Sequence, residues 1–291
     1  MEQFKLKPFS SALTVPRMAN VHYFEFTKAY HTVRDRHPFR ELIYVDGGAV
    51  TVEADSFCGV LRDRQLLIHQ SNEYHRLYCD ENEAPNVIIL GFECACEQLD
   101  VFAAAPHTLS SAQINLLTDI VKEGRAVFLP PYDVPNLRDM KKREVTPFGA
   151  DQMLKLKLET FLIELVRSKQ NADRPTATAV ADSKTEEIGL YLADHYTESV
   201  SLDDLCFLFN TNRTTLCKRF KDTYGETIIQ HIHRLRIRQA KRLMRKGELN
   251  LTQLSAALGF SSIHYFSKTF KQYEHRSPGE YIRSIKSKLE V

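Results

Sequence analysis

The stretch LSAALGFSSIHYFSKTFK, residues 254–271, decides how the C-terminal third of this chain folds. Phe266 and Phe270 stand one helical turn apart and define a buried side. Ser262, His264, Tyr265, Ser267, Lys268 and Lys271 crowd onto the same short segment, so the helix offers a polar face to something outside itself. Just upstream, Gly259 can take the left-handed backbone of a sharp turn, and Ser262 can cap the helix that follows. Ala256 and Ala257 leave room for a close helix crossing.

The pattern occurs twice. Leu216, Lys218, Phe220, Lys221 and Ile232 stand 50 residues before Phe266, Lys268, Phe270, Lys271 and Ile282, whereas Leu202, Leu205 and Asn210 stand 49 before Leu251, Leu254 and Gly259. One extra residue in the second turn reconciles the offsets. Each copy reads as short helix, tight turn, longer helix, the pattern that lays a recognition helix in a DNA groove. In the first copy Ser201 and Asp204 suit a cap, Asn210 the turn, Asn212 the next cap and Cys206 the small crossing position. Ser277, Pro278 and Glu280 open a final helix through Tyr281 and Ile282. Between the copies, ETIIQHIHRLRIRQAKRLMRKG (226–247) has an apolar side of Ile228, Ile232, Leu235, Ala240 and Leu243 and a basic side of arginines. A rigid connecting helix is expected there. Arg234, Arg236 and Arg238 are candidates for DNA phosphates, with ion pairs to Glu226 or Asp222 as the ordinary alternative.

Residues from roughly 184 to 286 resemble the DNA-binding domain of the AraC/XylS transcriptional regulators, through TLCKRFKDTYG, RLRIRQAKRLM, LSAALGFSSIHYFSKTFK and SPGEYI. The resemblance implies that Thr214, Cys217, Lys218 and Lys221 project from the first recognition helix and Ile263, His264, Tyr265, Ser267, Lys268 and Lys271 from the second. Lysines suit phosphates, His264 and Ser267 can bond base edges, and Thr214 and Ile263 can meet a thymine methyl. Cys217 is a weak hydrogen-bonding group, so the first unit would be the less selective. The implied partners are double-stranded promoter DNA, a small-molecule effector, a second copy of the chain and, as a further candidate, RNA polymerase.

Charge agrees with a polyanion at one end. From residue 183 onward there are 18 Lys plus Arg against 12 Asp plus Glu, while the remainder holds 21 against 25. A chain of 291 residues suits two domains. The first twenty residues lack a secretory apolar run and no window suits a membrane span, so a cytoplasmic bacterial protein is expected, its six cysteines reduced thiols.

The segment QNADRPTATAVADSK (170–184) has Val180 as its one large apolar residue and reads as a linker, dividing the chain into 1–169, 170–183 and 184–291. Before it, ELIYV, AVTVEA, QLLIH and NVIILGF read as strands of a small barrel or sandwich. Two helices follow. One runs from about Ser110 to Lys122 with Gly124 as its stop; the other covers GADQMLKLKLETFLIELVRSKQ, where Leu154, Leu158, Phe161 and Leu165 make a stripe that could pack on the barrel or pair with a second subunit. RHPFRELIYVDGG and LLIHQSNEYH resemble the cupin-type effector domain common among these regulators. The expected fold class is α+β: a cupin-like barrel with flanking helices, then an all-α domain of two helix-turn-helix units joined by a linker helix.

Cupin metal centres use a His-x-His, a Glu shortly after and a later His. Here Asp35 stands where the first His belongs, leaving Asp35, His37, Glu41 and His75, so neither metal, cofactor nor enzymatic activity is expected. The cavity would instead take a small molecule, with His37, Glu41, Tyr44, His69 and His75 as its polar groups. The rival reading is a cupin metalloenzyme with an auxiliary nucleic-acid-binding domain. Cys94 and Cys96 lack the spacing and second pair of a zinc ribbon and read as cysteines at a strand end.

Overall fold

The computed structural model describes residues 6–82, 84–134, 137–172 and 179–289. Its strands are β1 (Met18–Glu25), β2 (Arg40–Gly47), β3 (Ala49–Ala54), β4 (Cys58–Arg62), β5 (Gln65–His69), β6 (His75–Tyr78), β7 (Asn86–Phe92) and β8 (His107–Thr108). The four runs expected from sequence are β2, β3, β5 and β7. All pairings are antiparallel, in one sheet ordered β1-β7-β2-β5-β8 and another ordered β4-β3-β6. Phe24, Ile43, Val45, Val52, Leu67, Leu77 and Ile89 fill the interior between the sheets. Leu42, Tyr44, Leu66, Ile68 and Leu90, from the other side of the larger sheet, meet helices α1 (Ser111–Val127) and α2 (Ala150–Ala172).

Alternation along β2 therefore corrects one expected site residue. Glu41 lies on the inward side with Ile43 and Val45, and Tyr44 lies with Leu42 against the helices. Tyr44 is a core residue, 1% exposed.

Two helix expectations also change. Gly124 lies inside α1 rather than ending it, and a Cβ there would sit 2.7 Å from Val21 Cγ1, so the glycine lets α1 approach β1. On α2, Leu154, Leu158, Phe161 and Leu165 are all buried in the core shared with α1 and the larger sheet. That apolar stripe is used within the subunit and is no face for a second copy.

The expected linker is helical at both ends, since α2 runs through Ala172 and α3 covers Ala179–His195; residues 173–178 lie outside the described residues. A segment without large apolar residues also suits a helix when it is rich in alanine.

The remaining helices are α4 (Leu202–Leu208), α5 (Arg213–Tyr224), α6 (Ile228–Lys246), α7 (Leu251–Ala257), α8 (Ile263–Glu274) and α9 (Pro278–Leu289). The starts of α4 and α7 are 49 residues apart and those of α5 and α8 are 50 apart, so the duplication is structural. Ser201 and Asp204 form a capping box, Asn212 accepts from Thr215 N at 2.8 Å and Ser262 from Tyr265 N at 3.1 Å. Asn210 and Gly259 take φ of +40° and +73° at the two turns. Ala256 and Ala257 are exposed, and the small buried residue of α7 is Ser255, 49 positions after Cys206.

Helix α6 passes through two cores. Ile228, Ile232 and Leu235 belong with Leu205, Leu216 and Phe220; Ile237, Ala240 and Met244 belong with Leu254, Phe266 and Phe270. Each helix-turn-helix unit thus packs on its own half of one rod.

Candidate nucleic-acid interface and barrel cavity

On α5, Leu216, Phe220 and Tyr224 face inward, and Thr214, Cys217, Lys218 and Lys221 are exposed. On α8, Phe266, Thr269 and Phe270 face inward; His264, Tyr265, Lys268 and Lys271 are exposed, and Ile263 and Ser267 half-buried. Lys218 and Lys221 thus occupy the same arc of α5 as Lys268 and Lys271 do of α8. None of the four lysines is in an ion pair among the described residues. Tyr265 differs from its neighbours because its hydroxyl lies 3.1 Å from His233 Nε2 on α6, which anchors the start of α8 to the rod. Arg213 and Arg219 on α5 and Gln272 on α8 are also exposed. The motif reading passed over them, and the signal was available: long polar side chains off the Leu216–Phe220 and Phe266–Phe270 sides.

The arginines of α6 are occupied elsewhere. Arg234 Nε lies 2.9 Å from Glu226 Oε1, the ordinary alternative foreseen. Arg236 is buried and donates to three backbone carbonyls: Tyr196 at 2.6 Å, Gly259 at 2.8 Å and Glu198 at 2.9 Å. Arg238 reaches Asp46 at 3.2 Å and Asp63 at 3.6 Å on the barrel. Farther along, Lys241 pairs with Glu25 and with Glu274, the latter at 3.0 Å. Arg245 is 7% exposed; it donates to Phe26 O at 3.2 Å and Ala84 O at 2.8 Å and also bonds Asn86. Tyr281 of α9 donates to Glu25 at 2.7 Å. Burial works to raise the Glu25 carboxyl, but Lys241 and Arg245 overcome it and hold the group below its ordinary value. The basic side of the rod therefore grips the acidic flank of the barrel, which removes these groups from the expected phosphate contacts.

Inside the barrel, His37, Glu41 and His75 line a cavity of about 340 Å³ together with Phe24, Phe26 and Tyr30. His22, Arg36 and Arg138 add polar groups there that the sequence reading missed. The alternation in VHYFEF (21–26) was the available signal for β1 and for its inward His22, Phe24 and Phe26. His69 sits opposite Glu41 across β2 and β5 and is fully buried behind His75, their rings stacked with centroids 4.4 Å apart. Burial pushes the His69 pKa down. Burial also opposes charge on His75, but Glu41 outweighs it and raises that imidazole. Burial would raise Glu41, yet His37 and His75 hold it well below the carboxylate range. Cys94 and Cys96, just past β7, are free thiols, and their carbonyls accept from Arg40 at 2.9 and 3.2 Å.

Residues 205–284 match the family described as a helix-turn-helix domain. The chain is 30% identical over 104 residues to the uncharacterised HTH-type transcriptional regulator YisR of Bacillus subtilis, covering 36% of each chain. It is 30% identical over 99 residues to the xylose operon regulatory protein of Escherichia coli, covering 34% of this chain and 25% of that one. Over 263 residues it is 22% identical to the uncharacterised HTH-type transcriptional regulator YdiP of Escherichia coli, covering 88% of this chain and 82% of that one. The chain spans about a third and a quarter of the length of the first two relatives. The matched residues, 205–284, run from within α4 into α9, so the family match falls on the duplicated helical unit around α6.

Proposed function

We propose that the protein is a sequence-specific DNA-binding transcription regulator, with residues 184–291 binding a promoter and residues 1–169 carrying an effector cavity. The observation that carries this reading is the matched arc of exposed lysines on α5 and α8, each helix capped and turned alike and each seated on one half of α6. A rod of 19 residues is about 28 Å long, close to the roughly 34 Å between successive major grooves on one face of DNA. Two recognition helices fixed to it can enter neighbouring grooves. Phosphate contacts by Lys218, Lys221, Lys268 and Lys271 would supply affinity and register, and His264 with Ser267 would choose bases. The barrel can influence that docking because Arg238, Lys241 and Arg245 of the same rod are held by its acidic flank. An effector acts only if it binds one arrangement of barrel and rod more tightly than the other. No helix among the described residues is long and apolar enough to cross a membrane.

Footprinting the full chain on genomic DNA should reveal a preferred site, and two variants then separate affinity from choice. Lys271→Ala should weaken specific and random duplexes alike and lower the salt slope by about 0.9. His264→Ala should keep that slope and lose about 1–3 kcal/mol of discrimination at one base pair. Indistinguishable behaviour of the two variants would overturn these assignments.

A further inference from the structure

We infer that His37, Glu41 and His75 form a binding site for a divalent first-row transition-metal ion inside the barrel. The sequence argued against a metal because Asp35 replaces the first histidine of the usual pattern. The fold brings three donors together without it: one ligand atom from each of His37, Glu41 and His75 lies within 4.8 Å of the others.

Hydrogen bonding fixes which atoms face inward. His37 Nδ1 lies 2.9 Å from Phe39 O, and His75 Nδ1 lies 3.0 Å from Glu73 O. A carbonyl only accepts, so each Nδ1 donates and Nε2 is the ring atom left to face a ligand. Both Nε2 atoms point at the same carboxylate, His37 at 3.4 Å from Glu41 Oε2 and His75 at 3.5 Å from Glu41 Oε1. A cation between them satisfies all three groups at once.

Each imidazole Nε2 stands from its Glu41 oxygen at nearly the separation of two donors on one tetrahedral centre, about 3.3–3.4 Å for bonds of about 2.0–2.1 Å, and the whole set lies within 4.8 Å. His37 Nε2 is buried without a hydrogen-bond partner. Each ring is also braced from behind: Phe39 stacks on His37 at 3.7 Å and His69 on His75 at 4.4 Å between centroids. Imidazoles whose second nitrogen donates to a carbonyl are what metal-binding histidines require. Two imidazoles and one carboxylate select a borderline ion of the zinc or ferrous class over calcium or magnesium, and leave a coordination position open to the cavity.

The inference rests on reading the cavity as the effector site, but its test does not depend on DNA. Full-length protein, stripped with chelator, is titrated with Co²⁺ and followed by visible absorption. One equivalent should bind with the spectrum of nitrogen and oxygen ligation. Glu41→Gln and His37→Gln should each lower affinity by more than the roughly tenfold to hundredfold that loss of a supporting hydrogen bond costs. Cys58→Ser, which removes an exposed thiol outside both sites, should leave Co²⁺ affinity unchanged. Absence of saturable binding, a thiolate charge-transfer band, or undiminished affinity in either Glu41→Gln or His37→Gln with an unchanged melting curve would overturn the site. Duplex binding by the same preparation is scored separately, so a chain that binds DNA but no Co²⁺ refutes the metal centre alone.

Discussion

Arg236→Met should destabilise the protein by about 3–5 kcal/mol with no DNA present. Arg236 sits on α6, yet its three acceptors lie elsewhere: Tyr196 and Glu198 after α3, and Gly259 in the turn between α7 and α8. One planar guanidinium thus ties the two helix-turn-helix units to each other as well as to the rod, with Phe260 against its face at 5.3 Å. Each charge-assisted bond contributes about 1.5–3 kcal/mol, and methionine would leave three partly or fully buried carbonyls without this donor. Burying the guanidinium has its own desolvation cost, which methionine removes, so the three bonds do not simply add. Arg236→Lys should fall between, because an ammonium keeps the charge but cannot match a three-way fork. Urea unfolding of the full chain measures this as an earlier midpoint at unchanged slope. A stable variant whose only defect is a lower salt slope for DNA would return Arg236 to the phosphate contacts that the sequence suggested.

Arg236 also marks where the sequence stopped being informative. The duplicated unit was legible because its signals are local: the Phe266–Phe270 spacing, the caps at Ser201, Asn212 and Ser262, and the turns at Asn210 and Gly259 each need only neighbouring residues. Arg238 and Arg245 of α6 were legible as charges and not as contacts, unlike Arg234, whose partner Glu226 is local. Their partners Asp46, Asp63, Glu25 and Ala84 lie more than 150 residues away, and nothing local distinguishes an arginine facing phosphate from one facing a barrel. Strand parity explains the mixed result in the cavity. Glu41 and Tyr44 were grouped by chemistry, although three positions along a strand put them on opposite sides. Gly124 illustrates the same limit, since glycine after an apolar run suits a stop as well as a close approach, and only the position of Val21 decides. The short strands β4 and β6 carry too few residues for alternation to stand out.

Gly259→Ala should be at least as damaging, and comparison with Gly259→Asn identifies the reason. The residue has φ of +73°, where an alanine is penalised by about 1–2 kcal/mol. Strain of that kind is relieved by asparagine, and the first copy already uses Asn210 at φ +40° in the equivalent turn. Space is the second constraint. A Cβ on residue 259 would lie 1.9 Å from Thr197 O and 2.7 Å from its carbonyl carbon, both backbone atoms of the segment that Arg236 fastens from either side. No rotamer change relieves that collision, so the turn must move away from Thr197 and carry α8 with it. Ala and Asn should then be equally harmful, each costing more than about 3 kcal/mol, within the range of severe backbone and overpacking defects. On DNA, both variants should retain protection of the half-site read by α5 and lose that read by α8. The reverse exchange, Asn210→Gly, should stay within about 1 kcal/mol of the parent, because it relaxes a positive φ at the cost of chain entropy. If Gly259→Asn proves much milder than Gly259→Ala, backbone conformation governs this turn rather than its contact with Thr197.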